Sequence, residues 1–191
     1  MSGTSSQRRP RIDGQRNRAA VLAGAKTVFA ARPDSYVSMA DIARATGVGV
    51  GTVYRHFSSR SELLEAVFTE EVDRVCAQAR PLDGRSPGAS LEAWLRTFFA
   101  FARERNHVSL ELIADIGVDT ILFREDRSRF CAAGGPLLDA AQRSGEVGHR
   151  LDIGQVLDAL VWLARGQGDD DHVRPIVEVF LAGLREPART D

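Results

Sequence analysis

The chain has 191 residues, 43% hydrophobic and 27% charged, enough for one or two modest domains around a helical core. No run nears the ~20 apolar residues that span a bilayer, and no apolar stretch follows the N-terminal arginines, so a cytoplasmic protein without a membrane partner is expected. The net charge of −1 conceals an asymmetry: residues 1–60 hold ten basic and three acidic side chains, a net of +7, and the remainder holds −8. One basic end on an acidic body suits contact with a polyanion, although charge alone does not separate that from a solvated face.

Residues 1–14 (MSGTSSQRRPRIDG) are polar, small and basic, and are expected to form a flexible arm. From Arg16 to Ala31 the residues Val21, Leu22, Ala25, Val28 and Phe29 follow helical spacing, stopped by Pro33 and Asp34. Ser38 is a good N-cap and Asp41 completes a capping box, with Val37 and Ile42 placed as a hydrophobic staple. This short helix reaches about Thr46, and Gly47 suits its C-terminus. The next segment, Gly49 to Phe57, is equally short, with Val53 and Phe57 assigned to the core and Thr52, Arg55 and His56 pointing elsewhere. Neither short helix is stable alone, and two of them around a glycine turn make a helix-turn-helix.

Ser59 and Glu62 form a second capping box, opening a helix with the stripe Leu63, Leu64, Val67, Phe68, Val72 and Val75. The loop PLDGRSPG (81–88) marks the expected domain boundary. Beyond it, Leu91 to Ala102 reads as an amphipathic helix, and Val108 to Ile116 as another ending near Gly117. Ile121 to Ser144 is helical, but Gly134-Gly135-Pro136 is expected to kink or split it. Asp152 caps a helix carrying Ile153, Val156, Leu157, Leu160, Val161 and Leu163; the last helix shows Val173, Ile176, Val177, Phe180, Leu181 and Leu184. No strand-like alternation occurs, so the fold class is all-α.

The segments AxxVFAA (25–31), MADIARATGVGVGTVYRHF (39–57) and SSRSELLEAVF (58–68) together resemble the DNA-binding domain of TetR-type (tetracycline-repressor-like, TetR/AcrR) transcriptional regulators. The resemblance covers roughly residues 16–72; it departs at Arg32-Pro33, where many members have glycine after the first helix. It implies a bacterial regulator with three domain-level parts. These are the arm (1–14), a three-helix helix-turn-helix DNA-binding domain with linking helix (15–80), and a helical effector-binding and dimerisation domain (81–191).

The physics of a groove-reading helix is visible without that family. A major groove admits one α-helix, which needs small residues where its backbone nears the bases; Gly49 and Gly51 supply them. By resemblance, Val50, Gly51 and Thr52 lie nearest the base edges, and Tyr54 and His56 match phosphate-contacting positions. Arg55 is the side chain of this helix able to grip guanine bidentately. Ser38 and Arg60, at the starts of the second and fourth helices, are phosphate candidates, and Arg8, Arg9 and Arg11 suit the backbone or minor groove. Each has a plainer alternative: Tyr54 packing on the first helix, His56 bracing the fourth, and Arg55 as a solvated charge.

In the second domain Trp94, Phe98, Phe101, Leu112, Ile116 and Phe123 are candidates for a ligand pocket; a packed core is the alternative for each. Phe99, Phe130 and Trp162 are further aromatics of that set. The resemblance implies a homodimer built on the last two long helices, where Leu157, Leu160, Val161, Ile176, Val177 and Phe180 serve either core or interface. Partners are then a palindromic duplex operator, which two-fold symmetry would match, and a small, mainly apolar effector. No cofactor or metal is expected: Cys76 and Cys131 lack CxxC spacing, the four histidines are scattered, and Asp169-Asp170-Asp171 reads as a helix cap. The chain is read as a ligand-responsive repressor and not an enzyme; a helical protein-interaction adaptor or a small helical enzyme are the competing classes.

Overall fold

The computed structural model describes residues 9–32, 36–116 and 121–185; the side chains of 9–13, 15, 30, 105–116 and 121–124 lie outside that description. Among the described residues there are eight helices and no strand: α1 (Arg9–Ala31), α2 (Met39–Thr46), α3 (Val50–His56), α4 (Arg60–Ala77), α5 (Pro87–Ile116), α6 (Ile121–Arg143), α7 (Ile153–Ala164) and α8 (Asp170–Leu184). They fall into two compact units, residues 1–70 with 114–116, and 71–113 with 117–191. The division lies inside α4, and the loop before α5 belongs wholly to the second unit.

In the first unit, α2 packs on α1 and α3, and α3 also touches α1. Neither short helix has the length to persist alone, so the shared core carries them. That core contains Val21, Leu22, Ala25, Phe29, Val37, Ile42, Val53, Phe57, Leu63 and Leu64, all buried. Close packing is visible at Gly24, where an added Cβ would sit 1.9 Å from Thr46 Cγ2. Helix α1 begins at Arg9, earlier than the periodicity from Arg16 suggests. Its first turn contains Pro10, whose missing N–H would have no intrahelical partner there.

The cap reading of α2 holds in detail. Ser38 Oγ accepts from Asp41 N–H, and an Asp41 carboxylate oxygen accepts from the Ser38 N–H at 3.1 Å and the Ser38 hydroxyl at 2.6 Å. These hydrogen bonds from Ser38 hold the Asp41 carboxyl below its usual range, with Arg44 adding to the effect. Gly47 ends the helix at φ +69°, a left-handed conformation that favours glycine.

The second capping box is shifted from the expected pairing. Ser59 Oγ does accept from Glu62 N–H at 3.1 Å, but the Glu62 carboxylate reaches Ser58, accepting from its N–H at 2.7 Å and its hydroxyl. Two adjacent serines offer two reciprocal donors, and the longer Glu side chain reaches the farther one.

In the second unit α6 packs on α7 and α7 on α8. Two expectations are corrected there. Residues 87–116 form one helix of 30 residues rather than two, since no glycine or proline interrupts Ala102 to Val108. Helix α6 also runs unbroken through Gly134-Gly135-Pro136. A Cβ at Gly134 would lie 2.2 Å from Trp94 Cζ3 and 3.1 Å from Ile153 Cδ1, so this glycine admits the indole of α5 against α6. The space beside Gly134 is filled by that indole.

Capping boxes recur. Asp152 Oδ1 accepts from Gln155 N–H at 2.9 Å and Gln155 returns to Asp152 N–H; Asp169 caps α8 through His172 N–H at 3.0 Å. Arg103 of α5 ties the α7–α8 turn, donating to the carbonyls of Ala164, Gly166 and Gly168 and pairing with Asp170. No helix among the described residues is long and apolar enough to cross a membrane.

Candidate nucleic-acid interface

Helix α3 is seven residues long and sorts its side chains cleanly. Val53 and the following Phe57 are fully buried, anchoring one face to the first unit's core. Gly49 opens the helix by accepting at its carbonyl from Thr52 N–H (2.8 Å) and Val53 N–H (3.2 Å). The opposite face carries Val50, 42% exposed, and Tyr54, 52% exposed, with Gly51 and Arg55 also in solvent and Thr52 and His56 half-buried. Tyr54 is thus not buried against α1: about half of its surface is open.

Gly51 has a further property. A Cβ added there would meet no atom of the chain within 4 Å, and one at Gly49 would touch only Thr52 Oγ1 at 4.0 Å. Nothing inside the protein requires these glycines, and neither has a positive φ.

Ser38 and Arg60 lie at the helix starts where the sequence puts them. The Ser38 side chain is committed to the cap just described, and the residue is half-buried. Arg60 Nε donates to Val37 O at 2.8 Å, and its guanidinium lies over the rings of Phe29 (5.8 Å) and Tyr36 (4.7 Å). It therefore ties the start of α4 to the chain just before α2. Arg18 of α1 likewise stands 5.0 Å above the Phe57 ring. The residues that frame α3 are thus held by a small set of cations packed on aromatic faces.

The candidate ligand residues divide. Trp94, Phe98 and Phe101 are brought together and are all buried. The Trp94 indole N–H donates to Val75 O at 3.0 Å, so this side chain joins α5 to α4. Phe98 meets Phe130 of α6 edge-on at 4.9 Å, and Phe101 meets it at 5.3 Å. Phe98, which also meets Trp94 and Phe101, is the hub of the cluster, and Phe130, an aromatic not among the chosen pocket residues, joins it from α6; its helical offset of seven from Phe123 was the available signal. Leu112, Ile116 and Phe123 fall in α5 and α6, but their side chains lie outside the described residues. Trp162, read as a cavity aromatic, is instead 73% exposed on α7. Leu157, Leu160 and Ala164 form the buried stripe of that helix and leave Trp162 on the other side.

On α8 the same sorting occurs. Val173, Val177 and Leu181 are buried, whereas Ile176 and Val179 are exposed and Phe180 is half-buried. The exposed large apolar residues among those described are therefore Tyr36, Val50 and Tyr54 in the first unit and Trp162, Ile176 and Val179 in the second. Val50 and Tyr54 stand one turn apart on α3, and Ile176 and Val179 one turn apart on α8. Both cysteines are half-buried free thiols, and burial raises each above its ordinary pKa. That makes them poor nucleophiles.

Comparison with known proteins accounts for both units. Residues 21–67 match the model of the tetR family of bacterial regulatory proteins, and residues 86–186 match the SbtR-like C-terminal domain of transcriptional regulators. A TetR regulator of Streptomyces coelicolor is similar in structure, at 29% identity over 88% of this chain and 98% of that one, with a TM-score of 0.73. A TetR regulatory protein of Mycobacterium vanbaalenii is 34% identical over 92% of this chain and 99% of that one, with a TM-score of 0.72. Among sequences, the repressor BepR of Brucella suis is 26% identical across 95% of this chain and 98% of its own length. An HTH-type regulator of Staphylococcus aureus is 38% identical over 71 residues, a match that spans only 37% of either chain. With both of its units matched, and the second match alone covering more than half of the sequence, the chain belongs to the TetR family of DNA-binding transcriptional regulators, in the group with an SbtR-like C-terminal domain.

Proposed function

We propose that this regulator is a homodimeric repressor that grips a palindromic operator with α3 and releases it when a small, mainly apolar effector binds the second unit. The single observation that carries the DNA-reading part is the face of α3. Val50, Gly51, Tyr54 and Arg55 stand in solvent, while Val53 and Phe57 fix the helix, and a Cβ at Gly51 would meet no atom beyond its own helix backbone within 4 Å. In this reading Val50, Gly51 and Thr52 approach base edges, Arg55 takes guanine, and Tyr54 and His56 hold phosphates, with Ser38 beside them and Arg60 bracing the chain before α2. Residues 15–80 act as the DNA-binding domain with its linking helix, after a basic N-terminal segment over 1–14 whose residues from Arg9 onward already belong to α1. Residues 81–191 act as the effector and dimer domain. The protein works in the cytoplasm as a regulator and not as an enzyme.

The exposed Trp162, Ile176 and Val179 on the last two helices support pairing of that face with a second copy. Two-fold pairing presents two recognition helices, and these fit an inverted repeat with half-sites one helical turn, or a multiple, apart. Effector action is a shift between conformations that differ in recognition-helix spacing, limited in size by the effector's differential affinity for them.

For the effector site, Trp94, Phe98 and Phe101 of α5 supply apolar chemistry with few polar anchors. A ligand entering beside Phe98 and Phe101 would part their edge contacts with Phe130.

Selection of duplexes from a random pool tests the operator reading: an inverted repeat should be enriched, and enrichment of asymmetric or unrelated sequences would refute it. Thermal stabilisation against a mixed compound library tests the effector reading. A hit at 100 times its dissociation constant should add about 2.7 kcal/mol, and hits confined to sugars or divalent metals would contradict it.

A further inference from the structure

Tyr36 is 72% exposed, more open than Tyr54 on the recognition helix itself, and the DNA-contact set above leaves it unused. It stands two residues before the N-cap Ser38, beside the start of the first of the two helix-turn-helix helices. Its ring is covered on one side by the Arg60 guanidinium at 4.7 Å, and Arg60 is in turn fixed by its Nε–H bond to Val37 O and by its place over Phe29. A ring this exposed would ordinarily sample several orientations at a cost in side-chain entropy when ordered. Here a cation packed on its face restrains it in advance, and leaves the rest of the phenol open to an outside partner.

We propose that Tyr36 is a further DNA-backbone contact, its hydroxyl donating to a phosphate oxygen, and that Arg60 is the residue that positions its ring. The proposal rests on the reading that α3 enters the major groove. In helix-turn-helix complexes the helix before the recognition helix crosses the backbone, and hydroxyls and cations near its start meet phosphates. An amphipathic phenol suits that place. Its ring packs on the guanidinium and its hydroxyl reaches the strand, while the neighbouring positive charge favours the anion. Because the phenol is neutral, the contact adds affinity without releasing a counterion, and its loss leaves the salt dependence of binding unchanged.

The test uses the full chain and a duplex that it enriches from a random-sequence pool. Tyr36→Phe should weaken binding about tenfold or more, the range for one hydrogen bond to a charged group. The loss should be equal on single-base variants of the duplex, with the salt slope and the thermal midpoint as in the unaltered protein. Arg60→Lys keeps the charge but loses the planar stack and the Nε–H bond; it should weaken binding similarly, and the double variant should be no worse than either single one. Unaltered affinity in Tyr36→Phe overturns the contact, and additive losses, or an unaffected Arg60→Lys, overturn the positioning role.

Nitration by tetranitromethane, mapped by peptide mass, provides the second readout. Both tyrosines should be protected in the DNA complex. Protection of Tyr54 alone would sink this proposal and spare the reading of α3, whereas protection of neither would sink that reading. Protection of Tyr36 by raised protein concentration without DNA would assign the residue to a protein interface instead.

Discussion

Gly134→Ala sets two effects of known size against each other. In a helix interior, alanine is favoured over glycine by about 0.5–1 kcal/mol, so the substitution would stabilise α6 if nothing else intervened. At this position the new methyl would lie 2.2 and 2.4 Å from Cζ3 and Cη2 of Trp94. The indole is not free to withdraw: it is fully buried, its N–H is held by Val75 O at 3.0 Å, and the ring lies against Phe98 with centroids 6.1 Å apart. Overpacking of a buried site costs about 1–3 kcal/mol, and the rigid neighbour places this one toward the upper end. The net expectation is a loss of about 1–2 kcal/mol, which lowers the melting temperature by about 2–8 °C in a chain of this size.

Gly135→Ala is the internal control. It is the next residue of the same helix, and an added Cβ there meets no side chain within 4 Å beyond its chain neighbours; Pro136 follows it and crowds a Cβ in the α region, which offsets the propensity gain, so the change should stay within about 1 kcal/mol of zero. Thermal melts at one fixed protein concentration, with urea titration to compare midpoints, decide the matter. A Gly134→Ala protein no less stable than the Gly135→Ala protein would show that the indole does not occupy the place assigned to it, and that the Gly-Gly-Pro segment is open space after all.

Two further outcomes follow from the caps and the exposed face of the second unit. Hydrogen bonds from Ser38 hold the Asp41 carboxyl low, those from Ser58 do the same for Glu62, and Arg96 does so for Glu178. A carboxyl with a depressed folded-state pKa contributes stability that is present above its unfolded value and lost as pH falls through the folded one. The melting temperature should thus hold from pH 7 to about 5 and fall below about 4, less steeply in Asp41→Asn; a midpoint that rises on acidification would contradict the cap assignments. Trp162→Asp should weaken self-association by about 2 kcal/mol or more, roughly thirtyfold, as measured by sedimentation, and an unchanged dissociation constant would remove Trp162 from the dimer surface.

The helix-turn-helix was legible because its signals are local. Ser38, Asp41 and Gly47 specify the bounds of α2 through hydrogen bonds and φ values internal to a few residues. Val53 and Phe57, one turn apart, likewise fix which face of α3 is buried. The second unit was less legible because its decisive features are contacts between distant segments. Nothing local distinguishes a glycine that breaks α6 from one that admits Trp94, forty residues earlier in the chain. Trp162 and Trp94 are both large apolar residues on amphipathic helices, yet one is buried and the other exposed. Only the orientation of α7 relative to its neighbours separates them. The positioning of Arg60 on Val37 and Tyr36 was hidden for the same reason, since a lone arginine at a helix start reads equally well as a free phosphate ligand.

The claim that matters most is that the exposed face of α3 reads sequence. It is tested most directly by competition binding of Tyr54→Ala and Arg55→Ala against every single-base variant of the selected duplex. Two different profiles are expected: Tyr54→Ala weakens all variants alike, whereas Arg55→Ala loses about 1–3 kcal/mol at one base pair per half-site and no longer discriminates there. An Arg55→Ala protein with the unaltered preference at every position would return that side chain to the solvent, and a Tyr54→Ala protein with undiminished affinity would contradict the assignment of this face to DNA.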